Sequence, residues 1–122
     1  MQNPVDWFEI YVQDMERACA FYTGVFQVKL ERLDTPDIEM WGFPMAGDNY
    51  GATGALVRMP GFEPSGQGVI IYFKCEDCAA EAARAAEGGG SVVKPKFSIG
   101  KYGHIALVKD TEGNMIGLHS MN

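Results

Sequence analysis

The 122-residue sequence predicts an α+β fold of two successive halves, each reading strand, helix, strand, strand, strand. Three observations lead to it. The stretch from Pro4 to Phe26, PVDWFEIYVQDMERACAFYTGVF, reads as a strand, a short turn and an amphipathic helix. A second copy of the same plan begins near Gly68. The richest Pro/Gly segment, PGFEPSGQG over 60–68, falls between the two copies and reads as their link. The expected organisation is one domain over 1–122, with module one over about 1–62 and module two over about 68–122.

In the first strand Phe8, Ile10 and Val12 alternate with Trp7, Glu9 and Tyr11. Successive strand side chains point to opposite faces, so one face is apolar and the other mixes rings with a carboxylate. Asp14 is placed to cap the first helix, whose Ala18, Phe21, Tyr22, Val25 and Phe26 fall on one helical stripe. Strands are expected over 28–33 (VKLERL), 38–43 (IEMWGF) and 53–59 (TGALVRM), with a turn at Thr35-Pro36-Asp37 and a loop over 44–51. In the second half, 69–75 (VIIYFKC) is an apolar strand. Asp77 caps an Ala-rich helix from Cys78 to about Glu87, and Gly88-Gly89-Gly90 ends it. A short strand over 91–94, a loop over 95–101 and strands over 102–109 and 115–120 complete the copy. The last two are joined by a hairpin loop, Asp110 to Asn114.

A hydrophobic share of 47% and a charged share of 21% describe an ordinary globular chain. The net charge of −6 weighs against nucleic acid, which needs an excess of Lys and Arg, and is compatible with a cationic ligand or simply with solubility. No apolar run approaches the length of a membrane span, so no membrane partner is expected. The start of the chain lacks a basic region followed by an apolar core, and three Cys fit no disulfide framework; both point to a cytoplasmic protein. Cys75-Glu76-Asp77-Cys78 is a C-x-x-C at a helix start, the setting of a redox pair, but it reads equally as two unrelated small residues. The triple glycine follows a helix instead of opening one, so it is not a phosphate loop.

The opening VDWFEIYVQDMERACAFYTGVF, the Ala-rich helix after Cys75-Glu76-Asp77, and the closing DTEGNMIGLH at 110–119 resemble the vicinal oxygen chelate superfamily of glyoxalases, bleomycin-resistance proteins and dioxygenases, in particular its small glyoxalase-like branch. The resemblance covers essentially the whole chain. It implies two βαβββ modules forming a curled mixed sheet around a cup-shaped pocket, with the helices outside. It also implies a metal held from the first and last strand of each module. Carried over residue by residue, the four ligand positions fall on Trp7, on Gly54 or Ala55, on Ile70 and on Gly117. None offers a metal-binding side chain, so neither metal nor other cofactor is expected. Glu9, His104 and His119 form a fallback set for a displaced metal. Members of the family often form homodimers, a state the resemblance allows here.

Strand parity then gives the residues expected to line the pocket and bind a ligand: Trp7, Glu9 and Tyr11, their counterparts Ile70, Tyr72 and Lys74, and Met115 and His119 from the last strand. Trp41 either closes the rim or packs in the core. Such a ring-rich lining suits an apolar or aromatic small molecule fixed by a few hydrogen bonds. The expected function is therefore a glyoxalase- or bleomycin-resistance-like protein that binds a small molecule without the usual metal. The alternative is an enzyme acting on a small carbonyl compound, with Glu9 and His119 as its catalytic proton-transfer groups or a displaced metal in their place. Against a catalytic role, Glu9 reads as a carboxylate satisfied by a neighbour such as Tyr72 or Lys74.

Overall fold

The computed structural model describes residues 3–45, 51–64 and 68–122. Parts of the expected loop over 44–51 and of the link over 60–68 lie outside them. The chain divides into two compact units, Trp7–Val69 and Ile70–Asn122, the latter joined by the residues up to Asp6.

The first unit contains most of β1 (Val5–Tyr11), then α1 (Met15–Phe26), β2 (Glu31–Arg32), β3 (Glu39–Gly42) and β4 (Thr53–Arg58). Its strands run in the order β2-β3-β4-β1, antiparallel except for the parallel β1–β4 pair. The second unit contains most of β5 (Val69–Lys74), then α2 (Cys78–Glu87), β6 (Ser91–Ser98), β7 (His104–Lys109) and β8 (Met115–Ser120). Its order is β5-β8-β7-β6, again with one parallel pair, β5–β8, among antiparallel neighbours. The two units thus repeat one βαβββ topology, and the fold is α+β as the sequence predicts.

Local chemistry accounts for the helix ends. The Asp14 carboxylate accepts from the Arg17 N–H at 3.1 Å, and the Asp77 carboxylate from the Ala79 N–H at 3.0 Å. The latter also holds Lys96 at 2.9 Å, and these contacts keep Asp77 below the ordinary carboxylate range. At the end of α2 the left-handed turn falls on Gly89, with φ of +102°.

Besides the strand expected over 28–33, which shortens to Glu31–Arg32, two expectations change. The buried stripe of α1 is Met15, Ala18, Cys19 and Tyr22, packed on Val12, Leu30 and Leu56. Phe21, Val25 and Phe26 stay more than half exposed. Counting apolar residues placed the stripe too near the C-terminal turn, where ring contacts Phe21–Tyr22 and Tyr22–Phe26 run along the helix surface. The second change is β6, which continues through Pro95 to Ser98 where a loop is expected. It is the outermost strand of its unit's order, and its pairing with β7 shifts register between Val92 and Lys94 and again between Lys94 and Phe97. An edge strand with bulges tolerates a residue that has no N–H to donate.

Candidate functional site

Alternation along β1 separates two environments. Ile10 and Val12 join the α1-side core, and Phe8 packs against Phe43 with the rings tilted by 53° and their centroids 5.3 Å apart. On the other face stand Trp7, Glu9 and Tyr11. The Glu9 carboxylate is 8% exposed; it accepts from the Tyr11 hydroxyl at 2.6 Å and from the Trp7 indole N–H at 3.2 Å. Both donors sit two residues away on the same strand, so β geometry alone delivers them. The buried carboxyl group is therefore satisfied by hydrogen bonds from its own strand.

The register of β4 resolves the open ligand position. Ala55 pairs with Glu9 and shares its face, whereas Gly54 pairs with Phe8 on the helix side, where a Cβ would run into the Phe8 ring. Trp41 pairs with Leu56, the partner of Ile10, and packs with the α1-side core, its indole N–H reaching Glu39 at 3.1 Å. It does not share the face of Trp7 and Glu9, which corrects the expectation of a rim residue. The cause is register, which decides the side on which an alternating strand turns its ring.

In the second unit Ile70 and Tyr72 are both buried at 4% exposure. Tyr72 pairs with Gly117 across the parallel β5–β8 ladder, and a Cβ built on Gly117 would collide with the Tyr72 ring. The position that resembles the family's last metal ligand is thus occupied by a neighbouring aromatic side chain. With an indole, a methyl, a sec-butyl chain and a ring-covered glycine at the four positions, the residues present do not fit the metal the resemblance implies. Among the described residues no group of three or more His, Cys, Asp or Glu side chains could hold an ion. The fallback set fails for a further reason. His119 pairs with Ile105 and His104 with Ser120, so the two imidazoles project from opposite faces. Ser120 accepts the Cys78 N–H at 3.0 Å at the start of α2, which places His104 on the α2 side.

Lys74 and His119 are direct register partners. Both line a half-open cleft of about 280 Å³ at the ends of β5 and β8, together with Asp6, Glu76 and the closing residues Ser120 to Asn122. The cleft walls are tied by backbone: the Cys75 N–H donates to the His119 carbonyl at 2.7 Å, and the Asn122 side chain donates to the Glu76 carbonyl at 3.1 Å. His119 Nε2 lies 2.6 Å from the Tyr102 carbonyl oxygen. A carbonyl only accepts, so Nε2 carries the proton and Nδ1 is the ring nitrogen able to accept one. Sequence reasoning finds Lys74 and His119 by parity but misses Asp6 and Glu76. The available signal was their place at strand ends, where loop residues gather polar groups. Met115 shares the face of His119 but lies at the other end of β8, away from this cleft.

The C-x-x-C does not form a redox pair. All three cysteines are free, and Cys78 is fully buried in the α2-side core. Burial, reinforced by the Glu81 carboxylate, pushes the Cys75 thiol up to about 11. Alkylation of Cys75 by iodoacetamide should therefore stay slow at neutral pH and accelerate only above about pH 10. The raised value also means the unfolded chain releases this proton first, so the Cys75 contribution to stability falls as pH rises from 9 towards 11. A pH series of alkylation rates read by mass spectrometry checks it, and rapid labelling at pH 7 would contradict it.

Comparison with known proteins places this geometry. The family model described as the Glyoxalase/Bleomycin resistance protein/Dioxygenase superfamily matches residues 5–118. The chain belongs to this superfamily. Among its relatives is the protein named "Putative glyoxylase CFP32", in Mycobacterium tuberculosis and Mycobacterium bovis. Each is 31% identical over 124 residues, which is 99% of this chain and 47% of the relative. The chain thus spans about half the length of the curated relatives it matches. Methylmalonyl-CoA epimerase from M. tuberculosis has a similar structure, with a TM-score of 0.69 and 16% identity over 98% of this chain and 88% of that one. The Streptomyces coelicolor methylmalonyl-CoA epimerase in complex with 2-nitronate-propionyl-CoA gives a TM-score of 0.68 at 17% identity, over 97% and 96% of the two chains. At this identity the likeness is one of fold. The superfamily fold is therefore present with its expected ligand positions filled by residues of another kind. No helix among the described residues is long and apolar enough to cross a membrane.

Proposed function

We propose that this superfamily member binds a small molecule without the metal ligands of its family, through the cleft at the ends of β5 and β8. The observation that carries this reading is the replacement of donors at every expected ligand position, with the Tyr72 ring lying over Gly117. Support for binding comes from the cleft, which lies near the lower end of the small-ligand range of about 300–1,000 Å³. Its exposed lining is mostly apolar, without a Phe, Tyr or Trp ring, and Asp6, Lys74, Glu76 and His119 are among the polar residues around it, so the favoured ligand is small, largely apolar and fixed by a few polar contacts. This keeps the apolar side of the apolar or aromatic ligand suggested by strand parity, while the buried rings Tyr11 and Tyr72 do not line this cleft.

The test is elemental mass spectrometry on the purified protein before and after incubation with nickel, zinc and manganese. The expected result is no stoichiometric ion in any sample. One tightly held ion per chain would overturn the metal-free part of the reading. A thermal-shift screen of small metabolites, apolar and polar, then tests binding, since a ligand of the native state raises the unfolding temperature by mass action.

A second reading, proton transfer on a small carbonyl compound, is favoured by one observation: Glu9 is a buried carboxylate aligned between two ring donors. A Glu9→Gln variant that keeps ligand binding and loses turnover would support it. Unchanged turnover in that variant would sink it.

A further inference from the structure

The outer side of α1 has the shape of a helix-docking face. Arg17, Phe21 and Gly24 follow at i, i+4 and i+7 along it, with Ala20 and Val25 beside them. All five are exposed, Phe21 to 59% and Val25 to 55%. The strands take the other side of the helix, through Met15, Ala18, Cys19 and Tyr22, and Phe26 lies off the outer face, stacked on Tyr22. A ring and an aliphatic side chain adjacent on a surface form an apolar patch that a partner would remove from water. Beside them Ala20 and Gly24 leave a notch, where a Cβ built on Gly24 would meet nothing within 4 Å. Gly24 does not take a positive φ, so neither the backbone nor internal packing requires a glycine there. Glycine inside a helix weakens it against alanine, and what this one gives in return is room for a side chain from outside. Knob and notch lie one turn apart on the same surface, so the face complements itself.

Charge gives the direction of docking. Arg17 stands in the first turn with its side chain 73% exposed, held only by a loose 3.9 Å contact to the exposed Asp14. At the other end, the last turn of α1 carries no basic residue. The Thr23 carbonyl there takes the Gln27 N–H at 2.9 Å, and the carbonyls of Gly24 to Phe26 follow at the negative end of the helix dipole. A cation at one end and an unneutralised dipole at the other meet when two such helices run antiparallel. We propose that α1 docks on the α1 of a second copy of this chain, antiparallel about a twofold axis. Phe21 of each copy then seats in the notch between the partner's Ala20 and the partner's Gly24, and Arg17 reaches the last-turn carbonyls of the partner helix. Parallel docking would set like charges together and leave both notches empty. With 12 residues α1 is about 18 Å long, so the contact falls short of the roughly 800 Å² per partner of stable complexes, and the dimer dissociates on dilution.

The experiment is sedimentation velocity on the whole chain over a concentration series from about 10 µM to about 1 mM, with amide chemical shifts recorded over the same series. The expected result is a reversible monomer–dimer exchange whose shifts centre on Arg17, Phe21 and Gly24. Gly24→Gln fills the notch at an exposed helical position where glutamine suits the helix better, so it should raise Tm while weakening association about tenfold or more. Phe21→Gln should weaken association as much, whereas Phe26→Gln, off the face, should change it by less than about twofold. Arg17→Glu should weaken it more than Arg17→Lys, which keeps the charge. A monomer at every concentration would overturn the proposal and leave this face to a different partner. So would a dimer that survives both Phe21→Gln and Gly24→Gln, because it then forms through another surface. Dissociation by Phe26→Gln without dissociation by Phe21→Gln would overturn it as well.

Discussion

Replacing Gly117 by glutamate, which puts the family's usual carboxylate back at its position, is expected to destabilise the protein by about 3 kcal/mol and to create no metal site. A side chain at 117 must enter the space of the Tyr72 ring, and Tyr72 is itself buried at 4% exposure. Overpacking of this kind costs about 1–3 kcal/mol, and an unpaired carboxylate forced into the same space adds to it. For a chain of this size the loss corresponds to a fall of roughly 10 °C in Tm. Because the other three positions hold Trp7, Ala55 and Ile70, one new carboxylate cannot gather an ion. Equilibrium dialysis against nickel, zinc and manganese should show no gain. Removing the ring in the same chain, Tyr72→Gly with Gly117→Glu, should cost less than the sum of the two single changes, since each makes room for or fills the same volume. A Gly117→Glu protein with unchanged Tm would mean that the ring does not cover this glycine in solution.

The second large effect is at Glu9. Glu9→Leu should cost about 3 kcal/mol, measured by urea unfolding, because it leaves the Tyr11 hydroxyl and the Trp7 indole N–H without the acceptor they now share. Glu9→Gln should cost less, about 1–2 kcal/mol: one amide oxygen still accepts, but the amide nitrogen turns a donor towards a donor. Tyr11→Phe should also destabilise, since the carboxylate then loses its 2.6 Å partner. The Glu9→Leu, Tyr11→Phe double variant should be more stable than the two losses added together, because it removes both ends of one buried hydrogen bond. Strict additivity would show that the two groups do not interact. A structural cost at Glu9 does not exclude proton transfer there, and for this reason the Glu9→Gln turnover comparison must be made at matched folded fraction.

The exposed end of α1 carries a simpler lesson about reading helices. Phe21, Val25 and Phe26 look like a core stripe because they are large and apolar, yet the residues that actually face β1 and β4 are Met15, Ala18, Cys19 and Tyr22. Periodicity gives the spacing of a stripe; which of two overlapping stripes is buried depends on where the strands lie.

Much was determined by the sequence itself, because the forces involved act over a few residues. Period-two alternation separated Trp7, Glu9 and Tyr11 from Phe8, Ile10 and Val12, and the caps Asp14 and Asp77 set both helix starts through a carboxylate within reach of free N–H groups. The doubled strand–helix–strand plan, and with it the superfamily, was legible from the ordered motifs, as was the lack of donors at Trp7, Ile70 and Gly117. Tertiary structure alone decided whatever depends on register and edges. It put Trp41 with Leu56 on the α1 side, set His104 and His119 on opposite faces, and let β6 run through Pro95 at an outer position. It also laid the Tyr72 ring over Gly117 and brought Asp6 and Glu76 to the cleft of Lys74 and His119. The physical reason is that a strand's own sequence fixes which residues share a face, whereas which partner stands beside each residue follows only from how the strands are paired.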